Sequence, residues 1–355
     1  MDFPQFPQGT LLLITNDYPP RKGGVSWYYY NLVRGLNADF TQSDAVHNSL
    51  QLPLILRGRE RCEVLKAGRW TMTPLWPLII FPLLLKTHQL KTNTWWAGQV
   101  LPVGTVVWLL SFVWKKPYIV STHGMDVLMP LKSKRRRWLV GKILQRAALI
   151  TANSEWTREE IVRNYESGMR NHCLRQKIAV IFPEPKPKRE VPREEAKALR
   201  LQLKIPEGAT VLLTACRLVK RKGVDRVLAA LPEVWKAMPD LHYIIVGNGE
   251  ERQKLETMVG ARSIAPVHFV GEVSDEELAA YYSLADAFIL LPREEGCDAE
   301  GFGIVYREAD QYGLPIVGCV SGGTGEALQQ CRKTLLVENP DDPKSVAEKI
   351  CQAFQ

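Results

Sequence analysis

Paired cysteines, a secretory signal and long apolar runs are missing from this 355-residue sequence. Its seven cysteines form no CxxC pair, a distribution that argues against a disulfide framework or a zinc site and favours reduced thiols. The amino terminus has no basic stretch followed by an apolar core, as a secretory signal would have. We therefore expect a cytoplasmic protein.

Two apolar stretches are candidates for a membrane span, and neither fits. Residues 75–85 contain Pro77 and Pro82, and residues 100–114 fall short of the roughly 20 residues that a spanning helix needs. We expect both stretches to be buried segments of an α/β domain. Any association with a membrane would then be peripheral, at its inner face.

The composition indicates a globular protein with an excess of positive charge. Hydrophobic residues make up 46% of the chain and charged residues 24%, and the net charge is +8. This excess favours an anionic partner, such as a nucleotide phosphate, an acidic membrane surface or nucleic acid. Nucleic acid is the least favoured, because the basic residues are not interleaved with aromatic residues as in a binding groove.

From residue 209 onward, short apolar runs alternate with amphipathic segments, as in βα units that build a parallel sheet. Strands are predicted at Thr210–Ala215, Leu241–Val246, Val267–Val270, Ala287–Leu291, Pro315–Val317 and Leu335–Val337. Helices are predicted to start near Val224, Glu250, Asp275, Gly303 and Thr324. Six strands separated by helices make a complete doubly wound domain.

The amino-terminal half repeats this pattern less regularly. Strands are predicted at Thr10–Thr15, Tyr118–Ser121, Leu149–Ala152 and Ile178–Ile181, and a helix at Val25–Leu36. Between residues 38 and 91, proline and arginine interrupt any hydrophobic periodicity that would indicate a helix or a strand. The proline-rich, charged segment Pro183–Glu195 predicts a stiff connector, so we place two α/β domains at residues 1–183 and 184–355.

The segment EEGCDAEGFGIVYREAD, Glu294–Asp310, carries the strongest indication of chemistry. It follows an apolar strand and opens a helix, so that backbone N–H groups around Gly301 and Gly303 can receive a phosphate. Glu300 is predicted in the loop and Glu308 two turns into the helix, where one carboxylate can face a sugar and the other a ribose. A capped helix with surface glutamates is the alternative.

A basic cluster follows the predicted strand Thr210–Ala215; it consists of Arg217, Lys220, Arg221 and Lys222, before Gly223. Cations at the carboxyl end of a first strand point into the crevice where doubly wound sheets bind ligands. A guanidinium and an ammonium suit a diphosphate leaving group, since they neutralise the charge that grows as the bond breaks. The alternative is a solvated basic loop.

Three weaker signals concern a lone histidine, two glycine turns and an acidic pair. His123 follows a predicted strand, a position that favours function although lone histidines are more often structural. The turns at Gly24 and Gly247 lack the GxGxxG fingerprint, so a nicotinamide cofactor has little support. Asp298 and Glu300 are spaced like metal ligands, but a sugar contact explains Glu300 better, and we expect neither metal nor cofactor.

These segments resemble the large retaining glycosyltransferase family 4, whose members have the GT-B fold. The similarity rests on EGFGIVYRE, ACRLVKRKG, VGNGE, HFVGEVSDEEL, SGGTGE and TNDYPPRKGGVSWYYYNL, and CDAEGFGIVYREA is similar to a mannosyltransferase branch that includes phosphatidylinositol mannoside synthases. The resemblance implies two Rossmann-like domains facing across a cleft. Residues 1–183 would bind the acceptor and residues 184–355 the nucleotide-sugar donor.

The resemblance also implies a role for each matching residue. Arg217 and Lys222 would hold the donor diphosphate, and Glu308 the ribose. The main chain near Val273 would contact the base, and His123 would lie beside the anomeric carbon or the sugar C6 hydroxyl. The remaining donor contacts would come from Glu300, Gly301, Phe302, Gly303 and Ile304 at the transferred sugar and phosphate, and from Gly24 and Gly247.

The implied function is retaining transfer of a hexose from a GDP- or UDP-sugar to a glycan or a lipid-linked acceptor. Such transfer is drawn as front-face attack, in which the leaving phosphate accepts the acceptor's proton and is stabilised by arginine and lysine without a metal. The alternative is a non-catalytic nucleotide-sugar-binding protein of the same fold. It would be expected to lack some of the four residues Glu300, Glu308, Arg217 and Lys222, which are all present.

Residues 131–147, LKSKRRRWLVGKILQRA, combine a cationic cluster with an apolar stripe. The cluster consists of Lys134, Arg135, Arg136 and Arg137, and the stripe of Trp138, Leu139, Ile143 and Leu144. Basic amphipathic helices can lie on anionic membrane surfaces, where this one would present a lipid-linked acceptor. The alternative is a helix with one buried face and a solvated basic end.

Overall fold

The computed structural model describes residues 10–19, 23–37, 62–66, 92–166, 174–261 and 266–355. The chain forms two compact units, Met1–Glu184 and Pro185–Gln355. Within the described residues each unit contains one six-stranded sheet, and every strand pair is parallel. The α/β class and the doubly wound architecture predicted from the sequence are confirmed.

The amino-terminal sheet has the strand order β2-β1-β3-β4-β5-β6. Its strands are β1 (Leu11–Thr15), β2 (Cys62–Lys66), β3 (Thr94–Ala97), β4 (Tyr118–Thr122), β5 (Leu149–Ala152) and β6 (Ile178–Val180). Its helices are α1 (Gly24–Asn37), α2 (Thr105–Trp114), α3 (Met125–Leu128), α4 (Lys134–Arg146) and α5 (Glu155–Tyr165). Both faces of the sheet are covered: Trp95 of β3 packs into one apolar cluster and Trp96 into another.

The carboxyl-terminal sheet has the order β12-β11-β10-β7-β8-β9. Its strands are β7 (Thr210–Ala215), β8 (Leu241–Val246), β9 (Val267–Gly271), β10 (Ala287–Leu290), β11 (Ile316–Gly318) and β12 (Thr334–Leu336). Its helices are α6 (Arg193–Gln202), α7 (Val224–Ala237), α8 (Arg252–Ala261), α9 (Asp275–Leu284), α10 (Ile304–Gln311), α11 (Thr324–Gln329) and α12 (Pro343–Ala353). The direction in which the strand order runs reverses between the neighbouring strands β7 and β10. The loops that follow these two strands therefore lead to opposite faces of the sheet and leave a crevice at the carboxyl ends of the strands.

Every predicted strand is present, with each end within one residue of its predicted position. Two strands were not predicted, β2 inside the irregular region 38–91 and β3 just after it. The connector is shorter than expected, because α6 already begins at Arg193. The apolar stretch 75–85 lies outside the described residues.

The second apolar stretch, residues 100–114, is only partly buried, contrary to expectation. It forms a π-helical turn, Val100–Gly104, followed by α2. Val107 is fully buried against the sheet, whereas Phe112 and Val113 are 52% and 69% exposed. Among the described residues, no helix combines the length and the apolar character that a membrane crossing requires.

Candidate active site

The loops after β7 and β10 touch each other at the point where the order of the carboxyl-terminal sheet reverses. Gly223 ends the basic turn with a φ of +68°, and a Cβ at this position would lie 1.7 Å from the carbonyl oxygen of Leu291. Only glycine permits this approach. The contact holds the 3₁₀ turn Lys220–Lys222 against the loop that carries Glu300.

Glu300 lies between two cations of this turn. Its carboxylate accepts hydrogen bonds from the guanidinium of Arg221 and the ammonium of Lys222, and the Arg221 Nε lies 2.8 Å from Asp298 Oδ1. The side chains of Arg221 and Glu300 are only 10% and 14% exposed. Burial raises the pKa of Glu300, but the charges and hydrogen bonds of Lys222 and Arg221 outweigh it and hold the pKa below its ordinary value. Glu300 is therefore an ionised hydrogen-bond acceptor.

A glycine-rich loop before α11 fixes the backbone of Glu300. The N–H of Gly323 donates to the Glu300 carbonyl oxygen at 2.8 Å, and Gly322 has a φ of +60° with its Cα against the same carbonyl. Gly303, with a φ of +86°, then turns the chain into α10 at Ile304. Gly301 and Phe302 between them are buried.

The two cations predicted to hold a diphosphate differ in environment. Lys222 is buried and paired with Glu300, whereas Arg217 is exposed, and within the described part of the chain its side chain forms no ion pair or hydrogen bond. Gly247, the first glycine after β8, has a φ of +129° and lies against the carbonyl of Cys216, immediately before Arg217. A side chain there would displace the start of the basic loop.

Glu308 lies in the second turn of α10, partly buried against aromatic residues. The Tyr282 hydroxyl donates to its carboxylate at 3.3 Å, and the Tyr282 ring stacks on Tyr312. Burial raises the pKa of Glu308, while the positive charge of Lys186 lowers it. Val273, expected near the base, is half-buried in the loop before α9.

His123 directly follows β4 in the amino-terminal unit. Its Nε2 lies 2.7 Å from the hydroxyl of Tyr29, which also donates to the carbonyl of Gly98. Its backbone N–H donates to Asp126 Oδ1 at 2.8 Å. Burial lowers the pKa of His123 to about 4 and raises that of Asp126 to about 7. In the same unit Gly24 is the first residue of α1 and is exposed.

The basic cluster Lys134–Arg137 occupies the exposed first turn of α4. The predicted apolar stripe is divided, because Ile143 and Leu144 are fully buried in the core whereas Trp138 is 60% exposed. The neighbouring helix α2 exposes Phe112, and Arg146 of α4 stacks on that ring at 3.9 Å.

Two residues that shape these sites were given no role of their own by the sequence. Arg221 was one of several adjacent cations, and only the 3₁₀ turn shows that it points at Glu300. Tyr29 is the second of three consecutive tyrosines, and helical spacing does not indicate which of them reaches His123. A buried polar contact between distant segments leaves no local signal in a sequence.

Comparison with known proteins identifies both halves of the chain. A family model described as "Glycosyl transferase 4-like domain" matches residues 23–175, and one described as "Glycosyl transferases group 1" matches residues 195–355. A relative from Mycolicibacterium smegmatis is the GDP-mannose-dependent alpha-(1-6)-phosphatidylinositol monomannoside mannosyltransferase. Its sequence is 29% identical to this chain over 343 residues, which cover 93% of this chain and 86% of that protein. A GDP-mannose-dependent mannosyltransferase of Corynebacterium glutamicum, which acts on a monoacylated phosphatidylinositol monomannoside, is 27% identical and covers 94% and 86%.

Solved structures show the same fold. Anabaena Alr3699/HepE in complex with UDP and glucose has a TM-score of 0.71 at 19% identity, covering 98% of this chain and 90% of that one. Sucrose-phosphate synthase from Thermosynechococcus elongatus has a TM-score of 0.71 at 21% identity, with 98% and 89% covered. The chain is therefore a glycosyltransferase of the GT-B fold, composed of a glycosyl transferase 4-like domain and a glycosyl transferases group 1 domain.

Proposed function

We propose that the protein transfers a hexose, with retention of anomeric configuration, from a nucleoside diphosphate sugar to an acceptor hydroxyl. The observation that carries this proposal is Glu300, ionised between Arg221 and Lys222 in the crevice where doubly wound sheets bind ligands. An ionised carboxylate accepts hydrogen bonds from sugar hydroxyls, and the cations beside it attract the diphosphate.

Each donor group has a matching residue in the carboxyl-terminal unit. Arg217 is exposed and available for the diphosphate, together with Lys222, and the backbone N–H groups from Gly301 to Ile304 lie at the start of α10. Glu308 would accept hydrogen bonds from the ribose hydroxyls, and the main chain around Val273 would contact the base.

In the transfer step the bond between the anomeric carbon and the diphosphate oxygen breaks while the acceptor oxygen bonds to that carbon on the same face. The leaving phosphate oxygen takes the acceptor's proton, and Arg217 and Lys222 stabilise the negative charge that accumulates on it. The carboxylates of Asp298 and Glu300 are both engaged by Arg221, which supports a step that requires no metal.

The relatives suggest the donor and the acceptor. Those from M. smegmatis and C. glutamicum are named as GDP-mannose-dependent enzymes that act on phosphatidylinositol mannosides. We propose GDP-mannose as the donor, with UDP-hexoses as the alternative that the UDP complex of HepE keeps open, and a lipid-linked glycan as the acceptor.

A lipid-linked acceptor implies that the protein contacts a membrane surface, and α4 provides residues suited to that contact. Its exposed residues Lys134–Arg137 and Trp138 combine positive charge with an aromatic side chain, which suits an anionic lipid–water interface. The protein should co-sediment with vesicles of phosphatidylcholine and phosphatidylglycerol at low salt. Trp138→Ala combined with Arg136→Ala should weaken co-sedimentation, whereas equal co-sedimentation with pure phosphatidylcholine would contradict the proposal.

Thermal-shift binding with GDP, UDP, ADP and their hexose conjugates tests the donor site. We expect one nucleotide to stabilise the wild type and to do so less in Glu308→Gln, with Glu348→Gln, an exposed glutamate on α12, as the matched control. Transfer from the matching sugar nucleotide should continue in EDTA and yield the donor's anomeric configuration. Binding without transfer to any lipid-linked or soluble glycan would favour a non-catalytic binding protein.

A further inference from the structure

Three elements of the amino-terminal unit converge on the imidazole of His123. Tyr29 comes from α1, Gly98 directly follows β3, and His123 directly follows β4. Tyr29 is fully buried, and its hydroxyl is within hydrogen-bond distance of both the Gly98 carbonyl oxygen and His123 Nε2. Gly98 is itself tied to β1, because its N–H donates to the Ile14 carbonyl at 2.9 Å.

The single proton of the Tyr29 hydroxyl decides the direction of these hydrogen bonds. The carbonyl of Gly98 can only accept. If the hydroxyl pointed at Nε2 instead, the Tyr29 and Gly98 oxygens would face each other with no proton between them, in a buried site where water does not screen their repulsion. The Tyr29 proton therefore goes to Gly98, and the Tyr29 oxygen accepts a hydrogen bond from a protonated Nε2.

The second ring nitrogen of His123 then carries a lone pair. Burial lowers the pKa of His123 to about 4, so the ring is neutral at pH 7 and has one proton. With that proton on Nε2, Nδ1 is an acceptor. Besides Tyr29, the ring has a hydrogen bond with the Gly98 backbone, whose carbonyl oxygen lies beside the Tyr29 hydroxyl on the Nε2 side, and no side chain within the described part of the chain is hydrogen-bonded to Nδ1. Nδ1 is thus available to a ligand.

We propose that Tyr29 is a positioning residue that fixes His123 in the Nε2–H tautomer, so that Nδ1 accepts a hydrogen bond from a substrate hydroxyl. This inference rests on the proposed function, because the hydroxyl that Nδ1 would bind belongs to a substrate of the transfer. His123 would then act as an oriented hydrogen-bond acceptor through Nδ1, because the partner of Nε2 sets the tautomer of the ring.

Tyr28 provides a matched control for Tyr29. Both rings are buried and both meet the His123 ring edge-on, with centroids 5.3 Å and 5.5 Å away. The Tyr28 hydroxyl, however, interacts with Thr151. Tyr28→Phe and Tyr29→Phe therefore remove the same atom from neighbouring buried sites, and only the second removes a partner of His123.

Long-range ¹H–¹⁵N spectra of ¹⁵N-histidine-labelled protein at pH 7 test the tautomer directly. The His123 signals are those that disappear in His123→Gln. The wild type and Tyr28→Phe should show a protonated Nε2, and Tyr29→Phe should show a mixture or the other tautomer. A wild-type Nδ1–H tautomer, or the same tautomer in Tyr29→Phe as in the wild type, would overturn the inference.

Kinetics test the consequence. Loss of one oriented hydrogen bond lowers a rate by roughly tenfold, so kcat should fall by that amount in Tyr29→Phe, with Tyr28→Phe near wild type and nucleotide affinity unchanged in both. Equal kcat in the two variants would refute the positioning role. If the wild type transfers no sugar, the proposed function fails, whereas the spectra still decide the tautomer.

Discussion

Replacing Arg221 by methionine should destabilise the carboxyl-terminal unit far more than an ordinary loss of surface charge. Arg221→Met keeps the unbranched apolar stem but removes the guanidinium, which leaves Asp298 without its cation and Glu300 with Lys222 alone. Removing one partner of a buried ion pair costs about 3–5 kcal/mol, and we expect about 3 kcal/mol because Lys222 remains. For a domain of this size that corresponds to a Tm lower by about 6–12 °C.

Lys220→Met is the matched control, one residue earlier in the same turn. Lys220 pairs with Glu295, but the two side chains are 54% and 35% exposed. An exposed pair contributes about 0–1 kcal/mol, so the Tm should fall by less than about 4 °C.

Differential scanning calorimetry, with and without the sugar nucleotide that stabilises the wild type, measures both variants. Arg221→Met should also lose part of the nucleotide-sugar stabilisation, because Glu300 is no longer held in place. If the two variants melt within about 1 °C of each other, the cluster around Glu300 is not the buried ion pair that we describe.

Three further predictions concern the two carboxylates and one glycine. Burial raises the pKa of Glu300, but the neighbouring cations lower the pKa more, so that it lies below the ordinary value of 4.5 in the folded protein. The ionised carboxylate therefore contributes fully to stability above pH 4.5, and this contribution is lost as the pH falls through the lower folded pKa. Urea midpoints should decrease in that pH range, and they should decrease less in Glu300→Gln. Burial raises the pKa of Glu308, so calorimetric nucleotide affinity should weaken as the pH falls, and Lys186→Met should move that loss to higher pH; superimposable profiles would contradict this. Gly322→Ala should lower the free energy of unfolding, measured in urea, by over about 1 kcal/mol more than Gly313→Ala does. A Cβ at position 322 would lie 2.4 Å from the Glu300 carbonyl oxygen, whereas a Cβ at position 313, where φ is also positive, would meet open space.

The fold could be predicted wherever strands are continuous apolar runs. This holds most clearly for the four inner strands of the carboxyl-terminal sheet, β7, β8, β10 and β11, since a parallel strand covered on both faces reads as a continuous hydrophobic run. It fails for β2, an edge strand with the sequence CEVLK and a half-buried, partly charged surface. It fails also for β3, which has four residues and whose two tryptophans are equally typical of a buried helix.

The candidate site could be predicted by residue type but not by orientation. The sequence indicated Glu300 and the basic turn, and the structure brings them together through Lys222. The sequence could not show that Arg221 provides a further contact or that Arg217 remains exposed, because the direction of Arg221 depends on the 3₁₀ turn that Gly223 ends at positive φ and Arg217 lies outside that turn. Spacing along a chain does not determine which of several adjacent cations turns inward.

The continuity of the second sheet has a consequence for autonomous folding. Within the described ranges, all its strands, from β7 to β12, come from one continuous stretch of chain, and none is contributed by the other unit. A polypeptide that begins at Pro185 thus retains every partner of Glu300 and Glu308 described here. We expect this polypeptide to be expressed as a soluble module that binds the nucleotide and catalyses no transfer. A single truncation would thus separate nucleotide binding from sugar transfer.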